Sequence, residues 1–309
     1  MLQNLAQIRV AKGHLDEGEA LYRRALAIKQ RVLGDAHPSA TLTANNLGNL
    51  LVRMGRPDDA EPLVSQALAS DRQTFGEQHA YVAESMKHLA TVLRAQGKFD
   101  EAEQMFREAL ALNRKLFGNE HSSVASNLSN LAIVLQLKDQ LGPAIQLFRE
   151  SQSMFQRVLG EKHPYYRQTS INLAKALRES GQPREAEDLL RTVSGELDPA
   201  NEVHRPLHIE AQVGLGRALM DQGRTLEALP ILEQASEMST AALAADDLRR
   251  AEARLALGMC LIASRQYERA DPLVREADAV LQKRSAAHPR LSKEAAAALA
   301  QLDRGLGNR

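Results

Sequence analysis

The sequence predicts an all-α solenoid of about seven stacked helix pairs, closed by a lone C-terminal capping helix. Three observations predict it. Leu47, Leu89, Leu131, Leu173, Leu215 and Leu257 recur every 42 residues, and Leu5 fits the same register. Each is followed by a small residue: Ala6, Gly48, Ala90, Ala132, Ala174, Gly216 and Gly258. Within each period the apolar residues fall at helical rather than alternating spacing. A fixed period between roughly 20 and 50 residues marks a repeat array. Such an array grows in one dimension and needs no single central core.

The period around Leu89 shows the elements in order. Val82, Leu89, Val92 and Leu93 share one face of a first helix over 81–96. Gly97 interrupts it, as Gly13, Gly55, Gly181 and Gly223 do at the same phase, and a glycine with positive φ ends a helix. A second helix over 99–116 carries Ala102, Met105, Phe106, Ala109 and Leu110 on one face, and a loop with Gly118 and His121 leads to the next unit. The repeat boundaries place units at 1–37, 38–79, 80–121, 122–163, 164–205, 206–247 and 248–288, with the cap helix in 289–309, all in one domain. Leu299-Ala300 keeps the phase of Leu257-Gly258, so 291–304 is expected to be that cap, its charges Lys293, Glu294, Asp303 and Arg304 solvated.

Columns of equivalent residues describe the packing. Gly18, Ala60, Ala102, Ala144, Ala186, Ala228 and Ala270 are small, as are Ala25, Ala67, Ala109, Ser151, Val193, Ala235 and Ala277, Val193 being the largest. Between them runs a larger column: Tyr22, Val64, Phe106, Phe148, Leu190, Leu232 and Val274. A large side chain on one helix fills the space that small residues leave on another.

Composition excludes several function classes. Lys plus Arg and Asp plus Glu are 39 each, a net charge of zero, which argues against nucleic acid or an acidic membrane as partner. The single cysteine, Cys260, forms no internal disulfide and suits a reducing, cytoplasmic setting. No apolar run reaches the roughly 18 residues of a membrane span, and no secretory leader is expected, because Met1 leads straight into a helical pattern without an apolar run.

The motif Leu-Gly-x-x-Leu (Leu47, Gly48, Leu51), followed by Ala60, Val64 and Ala67, resembles the tetratricopeptide repeat. The loops narrow the resemblance. Leu33-Gly34-Asp35-Ala36-His37-Pro38 returns as Phe75-Gly76-Glu77-Gln78-His79, Phe117-Gly118-Asn119-Glu120-His121 and Leu159-Gly160-Glu161-Lys162-His163-Pro164. With Asn45-Asn46-Leu47-Gly48 and Ala60-Glu61-Pro62-Leu63, this is similar to the 42-residue repeats of kinesin light chains, which also occur in bacterial signalling proteins. The resemblance implies a right-handed superhelix and a non-catalytic protein-interaction scaffold with no cofactor. It also admits a second role, as the regulatory or sensor region of a larger bacterial signalling protein such as a Ser/Thr kinase. Towards the C-terminus the loop motif decays: 194–206 keeps His204 and Pro206, the loop at Asp246 has lost it, and His288-Pro289 stands one residue early.

The remaining chemistry is sparse. His37, His79, His121 and His163 lie one per unit, too far apart to share a metal, and are expected to bond nearby backbone. Cys260 replaces the aliphatic column of Leu50, Val92 and Val134 and reads as core. Gly214-x-Gly216 lies inside a helix without the strand a phosphate loop needs. No catalytic residue and no metal ligand is expected.

One column points to a ligand. Before the repeat leucines stand Asn4, Asn46, His88, Asn130 and Asn172, then Gly214 and Ala256. The resemblance puts the first helix of each pair on the concave face, where asparagines at this position bond the backbone of an extended peptide. An amide offers both donor and acceptor. Asn49 joins this set, and Lys87, Arg94, Lys175, Arg178, Arg217 and Arg53 share the same helix face. Together they predict a locally basic groove for an acidic protein or peptide segment. Aromatics are 4% of the chain, with no Trp, so the expected affinity is weak, about micromolar. The first helix, starting at Met1 with no cap before it, leaves a face through which the chain is expected to self-associate.

Overall fold

The computed structural model describes residues 1–307, which form fifteen α-helices and no strand. They group into two compact units. The first, Met1–Lys138, holds α1 (Leu2–Ala11), α2 (Leu15–Leu33), α3 (Pro38–Arg53), α4 (Pro57–Phe75), α5 (Ala80–Ala95), α6 (Phe99–Phe117) and α7 (Ser122–Leu137). The second begins at Asp139 and holds α8 (Leu141–Leu159), α9 (Pro164–Glu179), α10 (Pro183–Gly195), α11 (Arg205–Asp221), α12 (Thr225–Ala242), α13 (Leu248–Ala263), α14 (Tyr267–Gln282) and α15 (Pro289–Gly307). The last two residues of the expected cap, 308 and 309, lie outside the described residues. In both units each helix packs on the next, and first helices also touch across pairs: α3 on α5, α5 on α7, α9 on α11, α11 on α13 and α13 on α15.

Two backbone devices set this order. At the turn inside each pair, Gly13, Gly55, Gly97, Gly181 and Gly223 take φ of +76° to +84°. The two pairs that lack the glycine hold the same bend with Asp139 (φ 61°) and Arg265 (φ 58°), the positive-φ non-glycine residues of the described chain. Between pairs, Gly34, Gly76, Gly118 and Gly160 combine φ of +74° to +89° with a nearly extended ψ. That region is open essentially to glycine alone, which explains the invariant second position of the loop motif.

The loop histidines act as the sequence predicts. His37 Nδ1 accepts from the Ser39 N–H at 3.1 Å, His79 from Tyr81 at 3.2 Å, His121 from Ser123 at 3.1 Å and His163 from Tyr165 at 3.2 Å. Each satisfies a donor that the helix cannot. The aromatic residue before the glycine stacks on the cap: Phe75 on His79 at 4.4 Å and Phe117 on His121 at 4.3 Å between centroids. In the decayed loops the device changes. His204 makes no cap bond to α11. Asp247, two periods after His163, accepts from the Arg249 N–H at 2.9 Å. The cap thus survives where the motif is lost.

The column residues form the core. All seven of the larger column, Tyr22 to Val274, are buried, and so are both small columns. The small residues are needed for close approach. A Cβ on Gly48 would stand 2.3 Å from Val64 Cγ2, and one on Gly258 2.4 Å from Val274 Cγ2. Cys260 is fully buried in its aliphatic column. A few polar groups are buried between pairs: Asn45 Nδ2 donates to Ser85 Oγ at 2.7 Å, and Ser85 Oγ donates to Asp71 Oδ2 at 2.6 Å. Neighbouring pairs are also tied by one recurring ion pair, Arg56–Glu19 (2.8 Å), Lys98–Glu61 (3.4 Å) and Arg224–Glu187 (2.7 Å). At the N-terminal end, Leu5 and Ile8 are exposed, although Leu47 and Leu50 at the same phases are buried. No described helix is long and apolar enough to cross a membrane.

Candidate functional site

In the first unit the predicted residues lie on α1, α3, α5 and α7. Asn4 is exposed, and Asn46 and Asn130 are half-buried. Asn46 has no hydrogen bond to a described residue, so its amide is available, whereas Asn130 Nδ2 donates to the Ser126 carbonyl at 2.9 Å. Asn49 Nδ2 meets His88 Nδ1 at 2.8 Å, joining α3 to α5. On its other side His88 faces Glu84, whose Oε1 lies 3.0 Å from Nε2 and accepts from Lys87 Nζ at 2.6 Å. Burial lowers the His88 pKa, opposed by the Glu84 hydrogen bond. Burial also pushes the Glu84 carboxyl up, but His88 and Lys87 outweigh it and bring it to about 2. Arg94 is half-buried and has no ion-pair partner among the described residues; burial lowers its pKa. Lys87 is therefore a committed cation and Arg94 an available one.

In the second unit, Asn172, Lys175, Arg178 and Arg217 meet at one cleft of about 230 Å³ between α9, α11 and α13. Ile171, Leu190, Val213 and Leu248 give it apolar walls. Gly214, the break in the asparagine column, stands where a Cβ would lie 3.1 Å from Leu190 Cδ1, so glycine lets that leucine form the floor. Asn172 Oδ1 accepts weakly from Gln168 at 3.4 Å.

This cleft is not the plainly basic groove that the cations suggested. Arg178 Nη1 reaches Asp221 at 3.0 Å, Lys175 Nζ lies 3.8 Å from Glu252, and Arg217 pairs with Glu294. Glu210 accepts from Gln168 at 2.9 Å, and burial pushes its carboxyl up. Three of these carboxylates share one column: Glu210, Glu252 and Glu294 are 42 residues apart, with the amide Gln168 one period earlier, four residues before the asparagine column. The 42-residue spacing of these glutamates is the sequence signal that marks them. Glu294 also departs from the solvated role expected of the cap helix. It turns inward to Arg217, while Lys293, Asp303 and Arg304 are exposed. Beside it, Arg290 Nη1 reaches Glu179 at 3.2 Å.

Among the described residues no group of three or more His, Cys, Asp or Glu side chains is placed to hold a metal. Within each unit the first helices carry amides and guanidiniums, with carboxylates beside them, groups that can bond a peptide backbone or a charged side chain.

A tetratricopeptide repeat family model matches residues 1–73, 39–115, 81–156, 123–194 and 207–283, and a second matches 171–240. The chain belongs to the tetratricopeptide repeat family. Within it, the chain is similar to kinesin light chain-like proteins. One is the set of nearly identical repeats from Podosopora anserina, 26% identical over 66% of this chain and 97% of that one, with a TM-score of 0.54. Another is BtubC (BKLC) from P. vanneervenii, 19% identical over 74% and 91%, TM-score 0.61. The fold is also that of a Rap protein solved with competence and sporulation factor, 12% identical over 98% and 84%, TM-score 0.68. No curated protein matches the chain.

Proposed function

We propose that the chain is a non-catalytic protein-interaction scaffold that holds an extended partner segment along its first helices, on the concave face, with a preference for acidic segments. The observation that carries the reading is the phase-locked stripe of Asn46, Asn130 and Asn172 with Arg94, Lys175, Arg178 and Arg217. An unpaired amide such as Asn46 can bond a ligand backbone, and the cations can take its carboxylates. At 12% identity the likeness to the Rap protein speaks to fold, so the case for a peptide rests on this chain's own residues. The single buried cysteine accords with a cytoplasmic setting.

The test is an arrayed library of acidic, neutral and basic peptides, probed with wild type and with Asn46→Ala/Asn130→Ala. Acidic hits that weaken in the variant and in salt support the reading. Equal hits in both proteins make the asparagines structural, and an empty array removes the peptide. A second association is favoured by the exposed Leu5 and Ile8: self-association through that face. Light scattering reads it, and a mass that stays constant with concentration contradicts it.

A further inference from the structure

We propose that Arg217, flanked by Arg178, forms a carboxylate subsite in the second unit, that Glu294 of α15 fills it in the free chain, and that a bound acidic segment enters by displacing Glu294. The inference deepens the peptide-binding reading above and rests on it.

The geometry points to a seat rather than to ordinary surface charge. Arg217 is only 7% exposed, on the cleft wall, and the carboxylate paired with it among the described residues is that of Glu294. Glu294 comes from two repeats further on. Its helix packs on α13 and α14, yet its side chain reaches α11. One period earlier the same pairing occurs between Lys175 and Glu252. Such pairs span the first-helix stripe, and a ligand lying along it must part them. Burial raises the Glu294 carboxyl, but Arg217, Arg178 and Lys175 together bring it below its ordinary value, so three cations already favour an anion there.

The exchange is selective. If an incoming carboxylate replaces that of Glu294, Arg217 stays paired, and Glu294, part-exposed at 24%, turns to water. If a neutral side chain replaces it, a buried guanidinium is left without its anion, which is strongly unfavourable. The Arg290–Glu179 pair steadies the same helix and must yield with it.

The experiment uses the full chain and a fluorescein-labelled, end-capped peptide of six glutamates, with six glutamines as the neutral control, read by polarisation. Glu294→Gln is expected to bind the acidic peptide about tenfold more tightly than wild type. Adding Arg217→Gln should return the affinity to the wild-type level or below, and the neutral peptide should not distinguish the proteins. Equal binding of six glutamates to wild type and E294Q, or a gain that survives R217Q, overturns the subsite. Should E294Q not melt like wild type, Glu294→Asp is the second arm, with a smaller gain expected and no gain refuting. An unchanged E294Q beside a productive peptide array removes this subsite alone; an empty array removes the peptide-binding reading itself.

Discussion

Gly160, Gly181 and Gly195 should respond in opposite senses to the same change, glycine to alanine. All three have open space where a Cβ would go, so backbone conformation alone decides. Gly160 holds φ +83° with ψ 160°, a region that costs a side chain about 1–3 kcal/mol. Its loss of unfolded-state freedom returns about 0.4–1 kcal/mol. Gly160→Ala should therefore destabilise by about 1–2 kcal/mol. Gly181, at φ +80° in the turn of its pair, carries a left-handed cost of about 1–2 kcal/mol and should lose somewhat less. Gly195 ends α10 without a positive φ, and alanine there should gain up to about 1 kcal/mol from helix propensity. Urea unfolding followed by circular dichroism gives the order. Native-state hydrogen exchange locates the loss, because a repeat array need not unfold in one step. A Gly160→Ala chain as stable as Gly195→Ala would refute the account of the loop motif.

Three further outcomes follow from the structure. His121→Ala should cost about 1 kcal/mol through the lost α7 cap, and His121→Asp should recover it, as Asp247 does at α13; urea midpoints decide. His88 and Glu84 both have pKa values below their ordinary ones, so both contribute stability that is lost on acidification. For His88 the loss begins as pH falls through the ordinary histidine range near 6.5, and for Glu84 it runs from about 4.5 towards about 2. His88→Asn should therefore flatten the pH dependence of melting near pH 6.5, and an unchanged profile counts against the assignment. Burial raises the Cys260 thiol to about 11, so a disulfide reagent should label it only on unfolding; rapid labelling of the folded chain would contradict its core placement.

The repeat made most of the fold legible. A single subtraction of 42 residues located the turn glycines, the histidine caps and the three packing columns, because each answers a local steric demand. The two non-glycine turns were hidden, since Asp139 and Arg265 carry the conformation without its usual residue. The cap of α13 was hidden in the same way, as Asp247 does the work of histidine in a loop whose letters no longer match. The site was only partly legible. Period and helix phase put Asn172, Lys175, Arg178 and Arg217 on one face, and the cleft brings them together. Pairing across two repeats depends on how the helices stack, which no local pattern encodes. That is why Glu252 and Glu294 emerged as partners only in three dimensions.

The proposed ligand path runs along the first helices. Hydrogen exchange of the full chain, with and without the strongest peptide from the array, tests it most directly. Protection is expected on α3, α5 and α7 of the first unit and on α9 and α11 of the second, with little change on α4, α6, α10 and α12. Protection on those second helices, or on the loops alone, would contradict it and move recognition to the opposite face.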